Sequence, residues 1–318
     1  MSSQGFSRAV VAVGGKPFRL SEEECPGSQH VITSDDVFFL KQLPRRAVVL
    51  GGGYIATECA SFLAKLGTEV HLLNRSRPLR KYDAQVAEFL VGQFERAGWR
   101  LANNARPTRI DRQADGTLTV RYAQVDDPRA AHSIDQVDVV LSAISRQPNL
   151  DWLGLQRVPS VRLDKEGRLV GGVGGEQERV GDGVYAVGDC LAGMPELTPV
   201  AVKSGRRLAS KLERELSGQP PADSAVDLTA FPSTVFCWPE YSFCGLSEEQ
   251  AVDQCGREAV RCYHSLADLL ESSLESGQPT PIYVKIVCAV QADGEERVLG
   301  LHFVGANAGE VMQGFAVS

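Results

Sequence analysis

The clearest hydrophobic pattern is near the start of the chain, where two short apolar strands flank a glycine-rich turn and an apolar-periodic helix. The strands cover 47–50 and 69–73, the turn covers 51–53 and the helix covers 55–66, with Gly67 closing it. A strand–helix–strand order places two parallel strands in one sheet and the helix across its face. The pattern therefore predicts a βαβ unit and an α/β fold.

Weaker patterns predict the other elements. Residues 117–122 alternate next to the turn signal Asp115-Gly116, which predicts antiparallel strands over 111–136. Buried strands are predicted at 137–144 and 183–189, and a helix at 199–216. A capping box at Ser247 predicts another helix, and 283–290 pairs with 296–305 in a second hairpin. Residues 31–44 predict a further helix, which Pro44 ends.

The domain organisation follows from these elements and from a linker. Residues 217–227, SGQPPADSAVD, have the composition of a linker. We expect an α/β part before this linker and a separate domain after it.

Composition narrows the function classes. An apolar fraction of 43% and a charged fraction of 23% are typical of a globular protein in water, and a net charge of −7 does not favour nucleic acid as a partner. No apolar run is long enough to span a bilayer and no secretory signal is apparent, so a cytoplasmic location is expected, with an organellar form as the alternative. The eight cysteines and five histidines lack metal-ligand spacing, and the cysteines are expected to be reduced and mostly buried.

The turn at 51–53 has the sequence of a dinucleotide-binding site. Gly51-Gly52-Gly53-Tyr54-Ile55-Ala56 matches the GxGxxG/A fingerprint and lies in the strand–helix context that this fingerprint requires. Gly51 permits the tight turn, and Gly53 lets the backbone approach a pyrophosphate. Ala56 allows close packing of helix on strand. The pyrophosphate is then expected at the N-terminus of the helix.

The end of the second strand indicates which dinucleotide is bound. An acidic residue there would bind the ribose 2′-hydroxyl of NAD. The sequence has Asn74 instead, followed by three arginines in six positions, of which Arg75 and Arg80 are the candidates for a 2′-phosphate. Guanidinium groups bind a phosphate dianion through charge-assisted hydrogen bonds. The segment therefore favours NADPH over NADH.

These motifs together resemble the class I pyridine nucleotide-disulfide oxidoreductase family. The resemblance rests on VVLGGGYIATECASFLAKLGTEVHLLNRSRPLRKYD, on GVYAVGDC followed by PELTPVAVKSGRRLASKL, and on FPSTVFCWPEYSFCGLSEEQAV with LGLHFVGANAGEVMQGFAV. Glu240-Tyr241 before CGLSEEQA and the Asn307–Glu310 region make it more similar to the large thioredoxin reductases than to the glutathione reductases. It covers nearly the whole chain.

The resemblance implies Rossmann-like parallel-sheet domains that bind FAD and NAD(P), followed by an α+β dimer-interface domain. The implied boundaries are 1–40 for the end of a first FAD-domain segment, 41–150 for the NADPH-binding domain, 151–223 for a second FAD-domain segment and 224–318 for the interface domain.

The resemblance implies roles for individual residues. It implies that Tyr54 gates the nicotinamide pocket, with Ile55 and Glu58 beside it, and that Ser145 and Arg146 lie near the nicotinamide, although Ser145 stands where the family has glycine. It implies a flavin site in which Asp189 faces the ribityl or pyrophosphate region and a helix N-terminus faces the flavin pyrimidine, where its dipole favours negative charge. The residues implied for that flavin site are Gly188, Asp189, Glu196, Leu197, Thr198 and Pro199.

The sequence also departs from the family pattern. The first strand–GxGxxG–helix unit, the redox pair Cys-x4-Cys and the C-terminal catalytic histidine are absent from these 318 residues. We therefore expect a sequence truncated at both ends, with no catalytic residue among the candidates. The cofactor sites are expected to be incomplete for FAD and complete for NADPH.

The expected function is that of an NADPH-dependent flavoprotein disulfide reductase of the thioredoxin reductase type, in cell redox homeostasis. Electrons pass from NADPH to FAD and then to a thioredoxin-like disulfide protein, and a homodimer forms through the C-terminal domain. Two alternatives stay open, a glutathione reductase-like fragment and a non-catalytic NADP(H)-binding or dimerising remnant. A lipoamide-type, NADH-using enzyme is disfavoured by the arginines after the second strand.

Overall fold

A computed structural model describes residues 6–173, 177–220, 231–269 and 280–316. The chain divides into two compact units, Met1–Lys16 with Arg146–Leu228 and Pro17–Ser145 with Thr229–Ser318. The domain boundaries expected at residues 40, 150 and 223 stay predictions, and residue 223 lies outside the described residues.

In chain order the strands are β1 (Ala9–Val11), β2 (Gly15–Pro17), β3 (Ile32–Thr33), β4 (Arg46–Leu50), β5 (Glu69–Leu73), β6 (Arg100–Ala102), β7 (Ala105–Arg112), β8 (Leu118–Gln124), β9 (Ala131–Val137), β10 (Val139–Ser142), β11 (Arg146–Pro148), β12 (Arg179–Gly181), β13 (Val184–Ala186), β14 (Ser233–Val235), β15 (Glu240–Gly245), β16 (Val260–Leu269), β17 (Thr280–Val290) and β18 (Glu296–Gly305). The α-helices are α1 (Tyr54–Lys65), α2 (Ala84–Arg96), α3 (Thr198–Leu216), α4 (Glu248–Cys255) and α5 (Ala308–Phe315).

A five-stranded parallel sheet, in the order β3-β10-β4-β5-β6, forms the centre of the larger unit. The predicted βαβ unit is confirmed, because β4, α1 and β5 lie within one residue of their expected positions and β4 is parallel to β5. The strands are short and apolar because both faces of the sheet are covered. Ala47 and Val49 face a core that includes α1 and α2, and Val48 and Leu50 face a second core on the opposite side.

Two antiparallel sheets complete the larger unit. The predicted hairpin at Asp115-Gly116 is confirmed by the pairing of β7 with β8, and β9 extends that sheet. The second sheet has the order β14-β15-β18-β17-β16, in which β17 pairs with β18 as expected. Tyr241 and Val304 from this sheet lie in the same core as α1 and α2, so the first and last parts of the unit share one interior.

The smaller unit contains a three-stranded sheet and the longest helix. β13 pairs in parallel with β1, although 173 residues separate Val11 from Val184, and β12 adds an antiparallel edge. α3 begins at Thr198 and ends at Leu216, as predicted to within one residue, and buries Leu208 against Tyr185 and Val187 of the sheet. Within the described ranges, no helix combines the length and the apolar character needed to cross a bilayer.

Two local expectations were wrong or incomplete. The segment 31–44, expected to contain a helix, forms strand β3 and a 3₁₀ turn, Val37–Phe39, because the Asp36 side chain accepts hydrogen bonds from the N–H and hydroxyl of Thr33 and holds a local turn. Helix α2 was not predicted, although only three of its 13 residues, Glu88, Glu95 and Arg96, are charged. Its apolar face, which includes Leu90 and Phe94, is fully buried.

A buried ionic cluster joins the sequence-distant parts of the larger unit. Lys285 on β17 is 1% exposed, and its Nζ lies 2.9 Å from both carboxylate oxygens of Asp83 and 2.8 Å from Oε2 of Glu248. The side chain of Asp83 also caps α2 and accepts a hydrogen bond from the N–H of Glu248. Burial alone would raise the pKa of Asp83, but the hydrogen bonds from Lys285 and Glu248 hold it below its ordinary value.

The cluster predicts a specific acid sensitivity. Hydrogen bonds from Lys285 and Arg257 lower the pKa of Glu248 from 4.5 to about 2. A folded-state pKa below the unfolded value stabilises the fold above pH 4.5, and this stabilisation is lost as the pH falls toward 2. We expect the free energy of unfolding to decrease over that window, measured by urea titration at several pH values. Glu248→Gln is expected to flatten the decrease, and an unchanged slope would contradict this assignment.

Candidate functional site

The glycine turn after β4 has the geometry of a phosphate-binding loop. Gly51 has a φ of +126°, and a Cβ at this position would lie 2.3 Å from the carbonyl oxygen of Ala143 on the neighbouring strand. Gly53 precedes α1 with an extended backbone, and a Cβ there would meet nothing within 4 Å. Ala56 is fully buried. The backbone therefore leaves no room for a side chain at Gly51, whereas Gly53 is open to a ligand and Ala56 packs closely in the core.

Gly52 also belongs to this arrangement, although only the glycines on either side were expected. A Cβ at Gly52 would lie 3.1 Å from Cβ of Asn74 and 3.3 Å from Cα of Pro78. The N–H of Leu79 donates to the carbonyl of Gly52 at 2.6 Å. The segment after β5 therefore lies directly on the glycine turn, and the sequence signal for this contact was the unbroken run of three glycines.

Gly51 and Gly53 are expected to respond differently to alanine. Gly51→Ala places a side chain against backbone at a positive φ, so the free energy of unfolding is expected to fall by at least about 2 kcal/mol. Gly53→Ala is expected to change it by no more than about 1 kcal/mol, since the position is extended and open.

The Gly53→Ala variant is expected to show its effect in nucleotide affinity and not in stability. Gly53→Ala is expected to weaken the binding of adenine dinucleotides by about tenfold or more, because the methyl group occupies the space above the turn that a pyrophosphate needs. Chemical unfolding and calorimetric titration of the same preparations measure both quantities. Full binding by the Gly53→Ala variant would show that no phosphate approaches this glycine.

The first turn of α1 is free of side-chain caps and carries two of the expected site residues. Helices α1, α3 and α5 begin without a side-chain cap, whereas α2 and α4 are capped by Asp83 and Ser247. Tyr54 and Ile55 are half-buried and pack on the main core. An N-terminus without a competing carboxylate or hydroxyl presents its N–H groups to an anion, and the helix dipole adds to the attraction.

Glu58, one turn further along α1, contacts the loop that follows β14. Its Oε1 accepts a hydrogen bond of 2.9 Å from the backbone N–H of Phe236. Burial raises the pKa of Glu58, and the hydrogen bond from Phe236 opposes that rise. Phe236 was not among the expected residues, because a contact across 178 positions leaves no local signal.

The arginines lie together on the loop between β5 and α2. Arg75 and Arg80 are exposed, and Arg77 between them is half-buried with an Nη1 atom that is buried and has no hydrogen-bond partner. Asn74, at the position where an acid would indicate NAD, is buried and donates to Asn103 at 2.8 Å. The loop thus presents the guanidinium groups of Arg75 and Arg80 to solvent, whereas the side chain of Asn74 forms a hydrogen bond within the protein.

Ser145 and Arg146 belong to different compact units, so each is described separately. Ser145 follows β10 in the larger unit, and its carbonyl accepts from the N–H of Phe18 at 2.9 Å. Arg146 begins β11 in the smaller unit, and its Nη2 donates to the carbonyl of Gly15 at 2.6 Å. Their placement beside a nicotinamide stays a prediction.

The expected flavin residues of the smaller unit follow β13 and precede α3. Gly188 has a φ of +73°, and a Cβ there would lie 3.2 Å from Cβ of Ala201 on α3, so the turn and the helix are in close contact. Asp189 is half-buried in the 3₁₀ turn that follows the strand. The structure therefore brings a carboxylate at a strand end close to the first turns of α3.

The N-terminus of α3 is the second uncapped helix start. Leu197 is the N-cap residue in an extended conformation, Pro199 lies in the first turn, and Thr198 and Pro199 are exposed. Glu196 is engaged within the unit, because its Oε1 accepts from Arg168 at 2.5 Å. Leu197, Thr198 and Pro199 can face an anionic ring, whereas Glu196 forms an ion pair.

The eight cysteines are all unpaired thiols, and five are buried. Burial raises the pKa of seven of them, to about 12 at Cys237 and to about 11 at Cys25, Cys59 and Cys262. A thiol with a raised pKa is a poor nucleophile at neutral pH. The seven cysteines with a raised pKa therefore belong to the packing of the chain.

Comparisons with known proteins agree with this geometry. The family described as pyridine nucleotide-disulphide oxidoreductase matches residues 2–205, and the dimerisation domain of that family matches residues 231–318. The chain is 36% identical over 310 residues to thioredoxin reductase 2, mitochondrial, of Drosophila melanogaster. The aligned region covers 97% of this chain and 57% of that relative. The chain belongs to the pyridine nucleotide-disulphide oxidoreductase family.

Proposed function

We propose that this chain is the NADPH-binding and interface portion of a thioredoxin reductase-like flavoprotein disulfide reductase. The observation that carries the proposal is the contact between the glycine turn and the arginine loop. An open Gly53 at an uncapped helix start lies beside a loop that carries Arg75 and Arg80 and has Asn74 at the position where an acid would indicate NAD. The turn offers N–H groups to a pyrophosphate, and the loop offers guanidinium groups to a 2′-phosphate.

The residues of this chain act by binding and orienting the two cofactors. Gly51 and Gly53 shape the pyrophosphate site, and Tyr54 and Ile55 in the first turn of α1 contribute side chains next to it. Glu58 holds the loop after β14 by accepting a hydrogen bond from the N–H of Phe236. Flavin, when bound, supplies the hydride-transfer chemistry. Asp189 and the start of α3 hold FAD in this proposal, through a carboxylate for hydroxyl groups and a positive helix end for the reduced ring.

A titration of the purified chain tests the proposal. NADPH is expected to bind at least about tenfold more tightly than NADH, because the 2′-phosphate adds charge-assisted hydrogen bonds to the arginines. FAD titration, followed by flavin absorbance, tests the second site separately. Equal affinity for NADPH and NADH would remove the basis for the NADPH assignment and revive the NADH-using alternative.

The cysteines favour a second candidate for this chain taken alone, an NADP(H)-binding module without turnover. Burial raises the pKa of seven of its eight thiols. An assay of disulfide reduction at saturating NADPH, with FAD added, separates the two candidates. Turnover above a protein-free control would exclude the binding module, and its absence with tight NADPH binding would support it.

The partners and the compartment belong to the same proposal. Residues 231–318 match a dimerisation domain, which supports a homodimer formed through the C-terminal part, and sedimentation of the purified chain measures it. The proposed substrate is a thioredoxin-like disulfide protein. A cytoplasmic location is proposed, with an organellar form as the alternative that the mitochondrial relative supports. Fractionation of cells with an antibody against the chain distinguishes the two.

A further inference from the structure

The arginine segment, residues 74–83, is fastened to the rest of the larger unit at three points. At its start, Asn74 donates to Asn103 at 2.8 Å and accepts from the N–H of Ser76 at 3.2 Å. In its middle, Leu79 is fully buried with a φ of +53°, and its N–H donates to Gly52. These two points hold the segment against the glycine turn.

The third point is Asp83, which comes three residues after Arg80. Its carboxylate caps α2 through the N–H of Val86 and is fully buried. A buried carboxylate needs a partner, and Lys285 provides one with an Nζ at 2.9 Å from each carboxylate oxygen. The end of the segment is therefore fixed by a residue 202 positions away.

The neighbour of Asp83 is held to the same sheet. The ring of Tyr82 packs edge-on against Tyr241 and Phe243, with ring centroids 5.9 and 5.6 Å apart. Both aromatic residues are on β15, in the same antiparallel sheet as Lys285. Polar and apolar contacts thus fasten the end of the arginine segment to the sheet of strands β14 to β18.

We infer that Lys285 is a positioning residue for the dinucleotide 2′-phosphate, acting through Asp83 to fix the places of Arg75 and Arg80. The inference rests on the proposed NADPH site. An arginine on a flexible loop has to be ordered when phosphate binds, whereas one on a fastened loop is already placed. The sheet of strands β14 to β18 therefore contributes to cofactor selection through Lys285, which does not contact the cofactor.

Calorimetric titration of the full chain with adenosine 2′,5′-bisphosphate and with AMP tests the inference. Lys285→Met is expected to weaken bisphosphate binding by about tenfold and AMP binding by less than about twofold, since displacement of the arginines affects only the 2′-phosphate. Val287→Ala is the matched control. Val287 is on the same strand and is fully buried in a cluster with Ala251 and Val260.

The outcomes are distinguishable. If the unchanged chain binds bisphosphate and AMP equally, the proposed NADPH site fails. If the unchanged chain prefers bisphosphate and Lys285→Met retains the full preference, the positioning role is overturned and the site stands. Equal weakening of both ligands in Lys285→Met and in Val287→Ala would identify Lys285 as structural only.

Two further measurements test the inference if Lys285→Met does not fold. The double variant Asp83→Asn with Lys285→Met leaves no unpaired buried charge, keeps an amide oxygen to cap α2, and is expected to show the same loss of preference. Hydrogen exchange on the unchanged chain needs no substitution. Bisphosphate is expected to slow exchange in β17 and at the start of α4 more than AMP does, and equal protection by the two ligands would overturn the inference.

Discussion

A chain in which Arg75 and Arg80 are both replaced by leucine is expected to bind NADPH about 100-fold more weakly or worse, while its affinity for NADH changes by less than about threefold. Each hydrogen bond between a guanidinium and a phosphate contributes about 1.5–3 kcal/mol, and two such residues are lost. NADH lacks the 2′-phosphate and so loses nothing specific. Both side chains are exposed, so the fold is expected to persist.

A matched double variant controls for the change in net charge. Arg109 and Arg121 are also exposed, and both pair with Asp111 on the antiparallel sheet of β7, β8 and β9. Replacing these two by leucine removes the same formal charge and is expected to leave the affinity for NADPH within about threefold of the original value. Fluorescence titration with NADPH and NADH measures all four constants. A comparable loss in both double variants would indicate attraction by net charge and not a phosphate site.

Loss of Lys285 is expected to have the largest effect on stability. Lys285→Met leaves the carboxylate of Asp83 buried at 0% exposure and without its cation. Removing one partner of a buried ion pair typically costs about 3–5 kcal/mol, because the remaining charge is neither hydrated nor paired. Urea unfolding followed by circular dichroism measures the change.

Two comparisons make this result interpretable. Lys81→Met changes an exposed lysine two residues from Asp83 and is expected to alter the free energy of unfolding by no more than about 0.5 kcal/mol. Asp83→Asn combined with Lys285→Met is expected to recover most of the loss, since no unpaired charge remains. A loss below about 1 kcal/mol in Lys285→Met alone would mean that Asp83 is hydrated or protonated in the variant.

The parts of the fold that sequence predicted are those in which the signal is local. β4, α1 and β5 were placed to within one residue because apolar periodicity and three glycines lie within 30 positions. The capping box at Ser247 was equally local, and both of its reciprocal hydrogen bonds are present. Gly51 and Gly53 likewise have the geometry that the fingerprint demands.

The parts that sequence did not predict depend on contacts between distant positions. Helix α2 is capped by Asp83, whose second role is to bind Lys285, a residue 202 positions away that leaves no local signal. The partner of Glu58 is Phe236, and nothing near either residue indicates the other. Ser145 and Arg146 are adjacent in sequence and yet fall in different compact units. Pairwise signals of this kind are not contained in composition or periodicity.

The distance between Asp83 and Lys285 has a consequence for how the protein is made. A ribosome adds about 5–20 residues per second, so the glycine turn and α2 leave it well before β17 is translated. During that interval Asp83 has no cation, and α2 has no finished surface to cover its apolar face. A message interrupted before the codon for Lys285 would therefore release the nucleotide-binding segment without the residue that completes it, and a chaperone would meet an exposed apolar face.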